Sequence, residues 1–425
     1  MTPEDFEEFI RKFLPRDVDP ADLARAAGLA SDPKALEELI NQLSSALGTT
    51  GGQGQAVNWD LAKSQAISTA KADSRAIPDS VRNELDQARR VAELWLAEAT
   101  AISSTVAETK LLTRELWVAD AINLFQQLAG PVADRMSAAL SENLQNNLPE
   151  ELSGLLGNAA EMMKSAGSML FAMQLGQAIG KLSTEVIAGN DTGLPIIDRP
   201  ALVVQNLLNH VDGLAVDREQ ALIYLTVREL AATTLFRQAK WLRESVTAQI
   251  GKYAADIKID NQAILDASEG FDSENPDSIR AALESGAFIA ERSPEQLAAL
   301  ENIEATLAII DGWIEAVTDE ATKRLPKQAA IAESVRRRRA VGSPSERTFA
   351  ALVGLELRPR KLREAALLWQ KIGQAIGTEA RDELWQHPDL LPTAAALDDP
   401  DGFVSALTNQ GADQLDDELR KLLGG

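Results

Sequence analysis

The stretch from Ala221 to Ile250, ALIYLTVRELAATTLFRQAKWLRESVTAQI, constrains this chain most. Leu222, Leu225, Leu230, Leu235, Leu242 and Val246 recur on a helical stripe, with Val227, Ala231, Phe236 and Ala239 beside them. An apolar stripe this broad belongs to a helix buried on most of its sides. Two charged residues, Arg228 and Glu229, stand in its middle. Charged side chains are seldom buried without a partner. The helix is therefore expected to carry an ion pair or a site.

The rest of the chain reads as helix after helix, with little of the strict alternation that marks strands. Helices are expected from Trp59 to Ala72, from Pro78 through Leu96 and from Leu111 to Leu128, where Gly130-Pro131 should break the run. A long apolar helix is expected from Glu161 to Ala188; its Gly176 and Gly180 would admit a neighbouring backbone. A short helix follows at Ala201 to Leu208, and Asp217 is placed to cap the Arg228 helix. Further helices are expected at about 276–285, 294–320, 326–340, 344–353, 358–376 and 378–386. Ile187 to Ile197 and Gly354 to Leu357 are the only extended candidates.

The expected fold is thus all-α or mainly α. A single multi-helix domain spans 56–405, with a small helical appendage at 1–47, a Gly-rich linker at 48–55 and a polar tail at 406–425.

Charge and composition narrow the function. The net charge of −22 argues against nucleic acid and anionic membrane as partners, both of which favour basic surfaces. There is no cysteine, which excludes disulfides and thiolate metal sites. Two histidines, His210 and His387, are too few for a His-rich metal centre. Both fall in expected loops, as solvated or capping residues. The amino-terminal residues show neither a basic n-region nor an apolar h-region, and no apolar run is long enough to span a bilayer. The expected setting is cytoplasmic.

Two groups could carry chemistry. A zinc-protease helix reads His-Glu-x-x-His, with two imidazoles on the metal and the glutamate as general base. The corresponding positions here are Arg228, Glu229, Leu230, Ala231 and Ala232, so the acid is present and both imidazoles are absent. Arg336, Arg337, Arg338 and Arg339 end a helix, with Arg358 and Arg360 soon after. They are expected either to complement the helix terminus from a solvated face or to bind an anion or acidic partner. The seven scattered tryptophans suit core anchors better than a stacking platform.

Several blocks carry a family resemblance: VNWDLA at 57–62, VAELWLAEAT at 91–100, GQAIGKLSTEV at 176–186, VRELAATTLF at 227–236 and IDGWIEAVTDEA at 310–321. The most specific are VRRRRAVGSPSERTFAALVGLELRPRKLREAALLW at 335–369 and RDELWQHPDLLPTAAALDDPDGF at 381–403. Over these the chain resembles an actinobacterial zincin-like family of hydrolases, or zinc-dependent metalloproteases. The resemblance implies Glu229 at the general-base position, Arg228 and Ala232 at the two histidine positions, and Asp311 as the downstream acidic ligand. Zinc serves active relatives. With both imidazoles replaced, no metal is expected here and no cofactor is required.

The expected function is then a metalloprotease-like scaffold that binds an unknown protein or peptide partner rather than cutting it. The alternative is a metal-dependent hydrolase built around Glu229 and Asp311. A weaker third reading is a structural module recruited through the basic 336–363 segment.

Overall fold

The computed structural model describes residues 57–103, 108–147, 168–169, 171–256, 292–340 and 361–409. The segments expected at 1–47, 48–55, 276–285, 344–353 and 354–357 lie outside them, as do Arg358, Arg360 and residues 410–425. The described residues fall into two compact units. One comprises Ala62–Arg135, Leu170–Ile257 and Arg292–Gly425, and holds the candidate site. The other, Met1–Leu61, Met136–Met169 and Lys258–Glu291, contributes helical residues at 59–61, 136–147 and 168–169.

The protein is mainly α. In chain order the helices are α1 (Trp59–Lys71), α2 (Asp79–Ala99), α3 (Arg114–Asn147), α4 (171–183), α5 (Val204–Asp212), α6 (Arg218–Gln238) and α7 (Trp241–Ala255). There follow α8 (Pro294–Thr322), α9 (Gln328–Ala340), α10 (Leu362–Glu383), α11 (Ala394–Asp398) and α12 (400–409). Two short strands, β1 (Lys110–Leu112) and β2 (Ala201–Val203), pair in parallel with Lys110 opposite Ala201.

Helix α8 is the axis, packed against α2, α6, α7 and α10. It starts on a capping box, Ser293 with Gln296, and Pro294 fills its first turn. Gly312 lets α10 cross closely: a Cβ there would lie 2.6 Å from that of Ala365. Tryptophans lock the crossing. Trp369 donates to the Ile309 carbonyl at 2.8 Å and stacks on Trp385 at 5.3 Å, and Trp313 meets Trp385 edge-on. Trp117, Trp313, Trp369 and Trp385 are fully buried core anchors, as expected. Gly176 and Gly180 also behave as expected, since a Cβ on either would strike α1 within 3 Å.

Four expectations about local structure are corrected. Pro131 does not end its helix: α3 runs through it. Leu128, Ala129, Val132 and Ala133 are buried on both sides of the proline, and their packing outweighs the lost backbone hydrogen bond. The apolar run at 221–250 is two helices, because Ala239 leaves helical geometry at φ −92° and ψ 66°. Ala201 to Val203 is a strand rather than helix, pinned by β1 and by a bridge between Ala188 and Leu202. The strand of Lys110–Leu112 likewise replaces the expected helix start at Leu111.

Candidate functional site

The site forms where α6, α8, α9 and the 187–203 segment meet. Asp217 caps α6 by accepting from the Gln220 backbone N–H at 3.2 Å. From Ala221 to Phe236 every residue of α6 is buried, so Arg228, Glu229 and Ala232 all face protein.

Glu229 is 3% exposed, and its carboxyl is ringed by donors. Oε2 accepts from the Asn190 backbone N–H at 3.1 Å, and Oε1 from the Ala201 N–H at 3.1 Å. Oε1 also receives Asn190 Nδ2 at 3.2 Å and the Thr233 hydroxyl at 3.3 Å. Asn190 is fixed in turn by Ile197, which it meets through both its amide oxygen and nitrogen. Gly189 leaves room for the acid: a Cβ there would lie 2.9 Å from Oε1. Burial pushes the pKa up to about 8, against the pull of the Asn190 and Ala201 N–H groups. At pH 7 this carboxyl holds its proton.

Arg228 turns to another partner. Its Nη2 donates to Oδ1 of Asp311 on α8, and no hydrogen bond joins it to Glu229 among the described residues. Arg339 on α9 faces the other oxygen, with Nε 2.9 Å from Oδ2. Asp311, 1% exposed, thus lies between two guanidiniums. Burial works against the charge on Arg228, but Asp311 more than restores it and the pKa is raised. Among the described residues no single arginine bridges Glu229 and Asp311: Arg228 serves Asp311, and neutral donors serve Glu229.

The arginine run divides by helix face. Arg338 holds Asp191 with both terminal nitrogens, at 3.0 and 2.7 Å. Despite burial, Arg338 keeps Asp191 at about 2. Arg339 donates to the Asp191 carbonyl at 2.6 Å. Arg336 reaches Glu315 at 2.6 Å and Asp319 at 3.3 Å, and Tyr224 donates to Asp319. Arg337 stays on the surface with Glu333. Three of the four arginines are thus committed to internal carboxylates.

Sequence reasoning passed over Asn190, Asp191, Ala201 and Thr233. The only available signal was Asn-Asp set in an otherwise apolar segment from Val186 to Ile197. His210 is corrected from a loop to the last turn of α5, with Nε2 buried and without a hydrogen-bond partner among the described residues. His387 is an exposed turn residue that accepts from the Asp389 N–H. Neither belongs to a cluster that could hold a metal, and among the described residues no group of three or more ligating side chains does so.

The zinc that such a helix would hold is not matched by these side chains. Ala232 has no lone pair, Arg228 brings a positive charge to the first ligand position, and both oxygens of Glu229 already face N–H donors.

Comparison with known proteins defines the class. The zincin-like metallopeptidase family model matches residues 57–404, and the chain belongs to that family. In fold it is similar to a crystal structure from Chloroflexus aurantiacus described as "a putative hydrolase with a novel fold". That similarity has a TM-score of 0.58 at 17% identity, over 83% of this chain and 98% of the other. A shorter segment is similar to the tRNA modification GTPase MnmE of Xanthomonas oryzae pv. oryzae strains PXO99A and MAFF 311018. It is 40% identical over 118 residues, which is 27% of this chain. The chain spans only about a quarter of those relatives, 24% of their length. It contains no G-x-x-x-x-G-K-[ST] phosphate loop, so the segment offers no reading of the site.

Proposed function

We propose that this chain is a metal-free member of its family, which uses the zincin helix to bind a partner rather than to hydrolyse one. The observation that carries this reading is the pairing of Arg228 with Asp311. A fixed guanidinium takes the acid that the family resemblance assigns to the metal. Arginine cannot lose its proton in a protein, so it is a permanent cation where a metal would be an exchangeable one. Peptide hydrolysis of the zincin type needs a Lewis acid and an activated water, and these residues supply neither. A hydrolase working through metal on Glu229 and Asp311 is disfavoured for the same reason, since both carboxyls are already bonded. The proposed setting is cytoplasmic, with a protein or peptide partner. The net charge of −22 supports this, as does the lack of any described helix long and apolar enough to cross a membrane.

Metal analysis of protein purified without chelators tests the proposal. Substoichiometric zinc is expected. The double variant Arg228→His with Ala232→His should gain zinc approaching one per chain. Zinc at one per chain in the unaltered protein would overturn the proposal.

A further inference from the structure

Helix α6 is buried from Ala221 to Phe236, and Asp311 is buried beside it, so a partner reaches them only if something covering them moves. Part of that cover is the last turn of α9, where Arg339 closes the second oxygen of Asp311 with Nε at 2.9 Å.

Helix α9 is held differently along its length. Ile331, Ala332 and Val335 are buried against the core. After Val335 the next four side chains are all arginines. Three of them hold the turn down. Arg336 donates to Glu315 at 2.6 Å and to Asp319 at 3.3 Å. Arg338 grips both oxygens of Asp191 and donates to the Glu185 carbonyl at 2.6 Å. Arg339 donates to the Asp191 carbonyl at 2.6 Å and meets Asp311. Helix α10, packed on the same axis helix α8, instead buries Ala365, Ala366, Leu368, Trp369 and Ile372.

The difference matters for opening. Water already reaches the three inward arginines, whose side chains are 30%, 20% and 12% exposed. When such a pair separates, both charges regain hydration, which offsets much of the lost attraction. A leucine or tryptophan leaving the core gains nothing comparable. Segments with few buried apolar contacts are the ones that open short of global unfolding.

We infer that the last turn of α9 is an ionic strap, which swings off the core about its Ile331–Ala332 turn while the rest of the fold stays intact. Release uncovers the Arg228–Asp311 pair. It also frees Asp191, whose neighbour Asn190 donates to Glu229. The inference rests on the partner-binding reading and adds the step by which α6 becomes reachable.

The chain has no cysteine, so one introduced thiol reports on one place. Val335→Cys puts it on the buried side of the strap, and Val317→Cys puts it in the core on α8. Each full-length variant is labelled with a thiol-reactive chromogen at neutral pH, well below its melting temperature. Global unfolding exposes both thiols alike, whereas the strap exposes only the first. The Val335 thiol is expected to react at least about tenfold faster. Arg338→Gln combined with Asp191→Asn removes the two-pronged pair without changing net charge, and should raise that ratio about tenfold further. Arg338→Lys, which keeps the charge and loses the fork, should raise it less and serves if the double variant fails to fold. Arg337→Gln, on the outer face, should change it by less than about twofold.

Equal reactivity of the two thiols would overturn the inference. So would a ratio unmoved by both Arg338 variants, or one moved as far by Arg337→Gln. Zinc analysis of the unaltered protein separates the two readings. Stoichiometric zinc defeats the metal-free reading whatever the thiols do, while zinc-free protein with equal thiol reactivity defeats the strap alone.

Discussion

Glu229 on α6 and Asp311 on α8 are both carboxyls buried on neighbouring helices of one core, yet they are neutralised in different ways. Asp311 is flanked by Arg228 and Arg339, so its charge is met by charge. Glu229 meets only neutral donors, from Asn190, Ala201 and Thr233, and keeps a proton instead. The comparison shows what decides the state of a buried acid. N–H dipoles soften the cost of burial but do not cancel it, whereas a guanidinium in contact does.

The sharpest way to break this contrast is Arg228→Ala. It strips Asp311 of one of its two cations and should cost on the order of 3–5 kcal/mol, read as a lower denaturation midpoint at unchanged slope. A midpoint equal to that of the unaltered protein would mean that Arg339 alone suffices.

The second test addresses the Glu229 side through pH. A glutamate loses its proton near 4.5 when unfolded and near 8 in this fold, so between those values the folded state binds the extra proton. Stability should therefore fall as pH rises through that window, by at most about 1.4 kcal/mol per pH unit, with the full penalty reached above it. Below the unfolded value both states are protonated and Glu229 adds no slope. Glu229→Gln has no proton to lose, and denaturation at pH 5, 7 and 9 should show this component removed. An unchanged profile in the variant would assign the slope to other groups.

The smallest effect is expected at Arg337, whose side chain is 77% exposed beside Glu333. Arg337→Ala should change stability by no more than about 0.5 kcal/mol in thermal unfolding. A larger loss would show that the arginine run acts as one block rather than by helix face.

Much of the frame was legible in the residues. The burial of α6 follows from its stripe, its start from Asp217, and the close approaches at Gly176 and Gly180 from the missing side chains. Inward placement of Glu229 and Asp311 was legible as well, from family blocks and apolar surroundings. Their partners were not. Asn190 and Ala201 lie 39 and 28 residues from Glu229, and helical periodicity carries no record of contacts at that range. The same blindness explains Pro131, where local chemistry says stop and core packing on both sides says continue.

By itself, then, the sequence determined a mainly helical chain, the lack of both imidazoles and the presence of two acids in an apolar interior. These follow from residue type and short-range spacing. Only the tertiary structure decided that Arg228 turns to Asp311, that Arg339 joins it from α9, and that Glu229 is left to neutral donors and a proton. The reason is physical: in a low-dielectric interior the state of a charge is set by whichever groups come within a few ångströms of it, and folding chooses those groups irrespective of their distance along the chain.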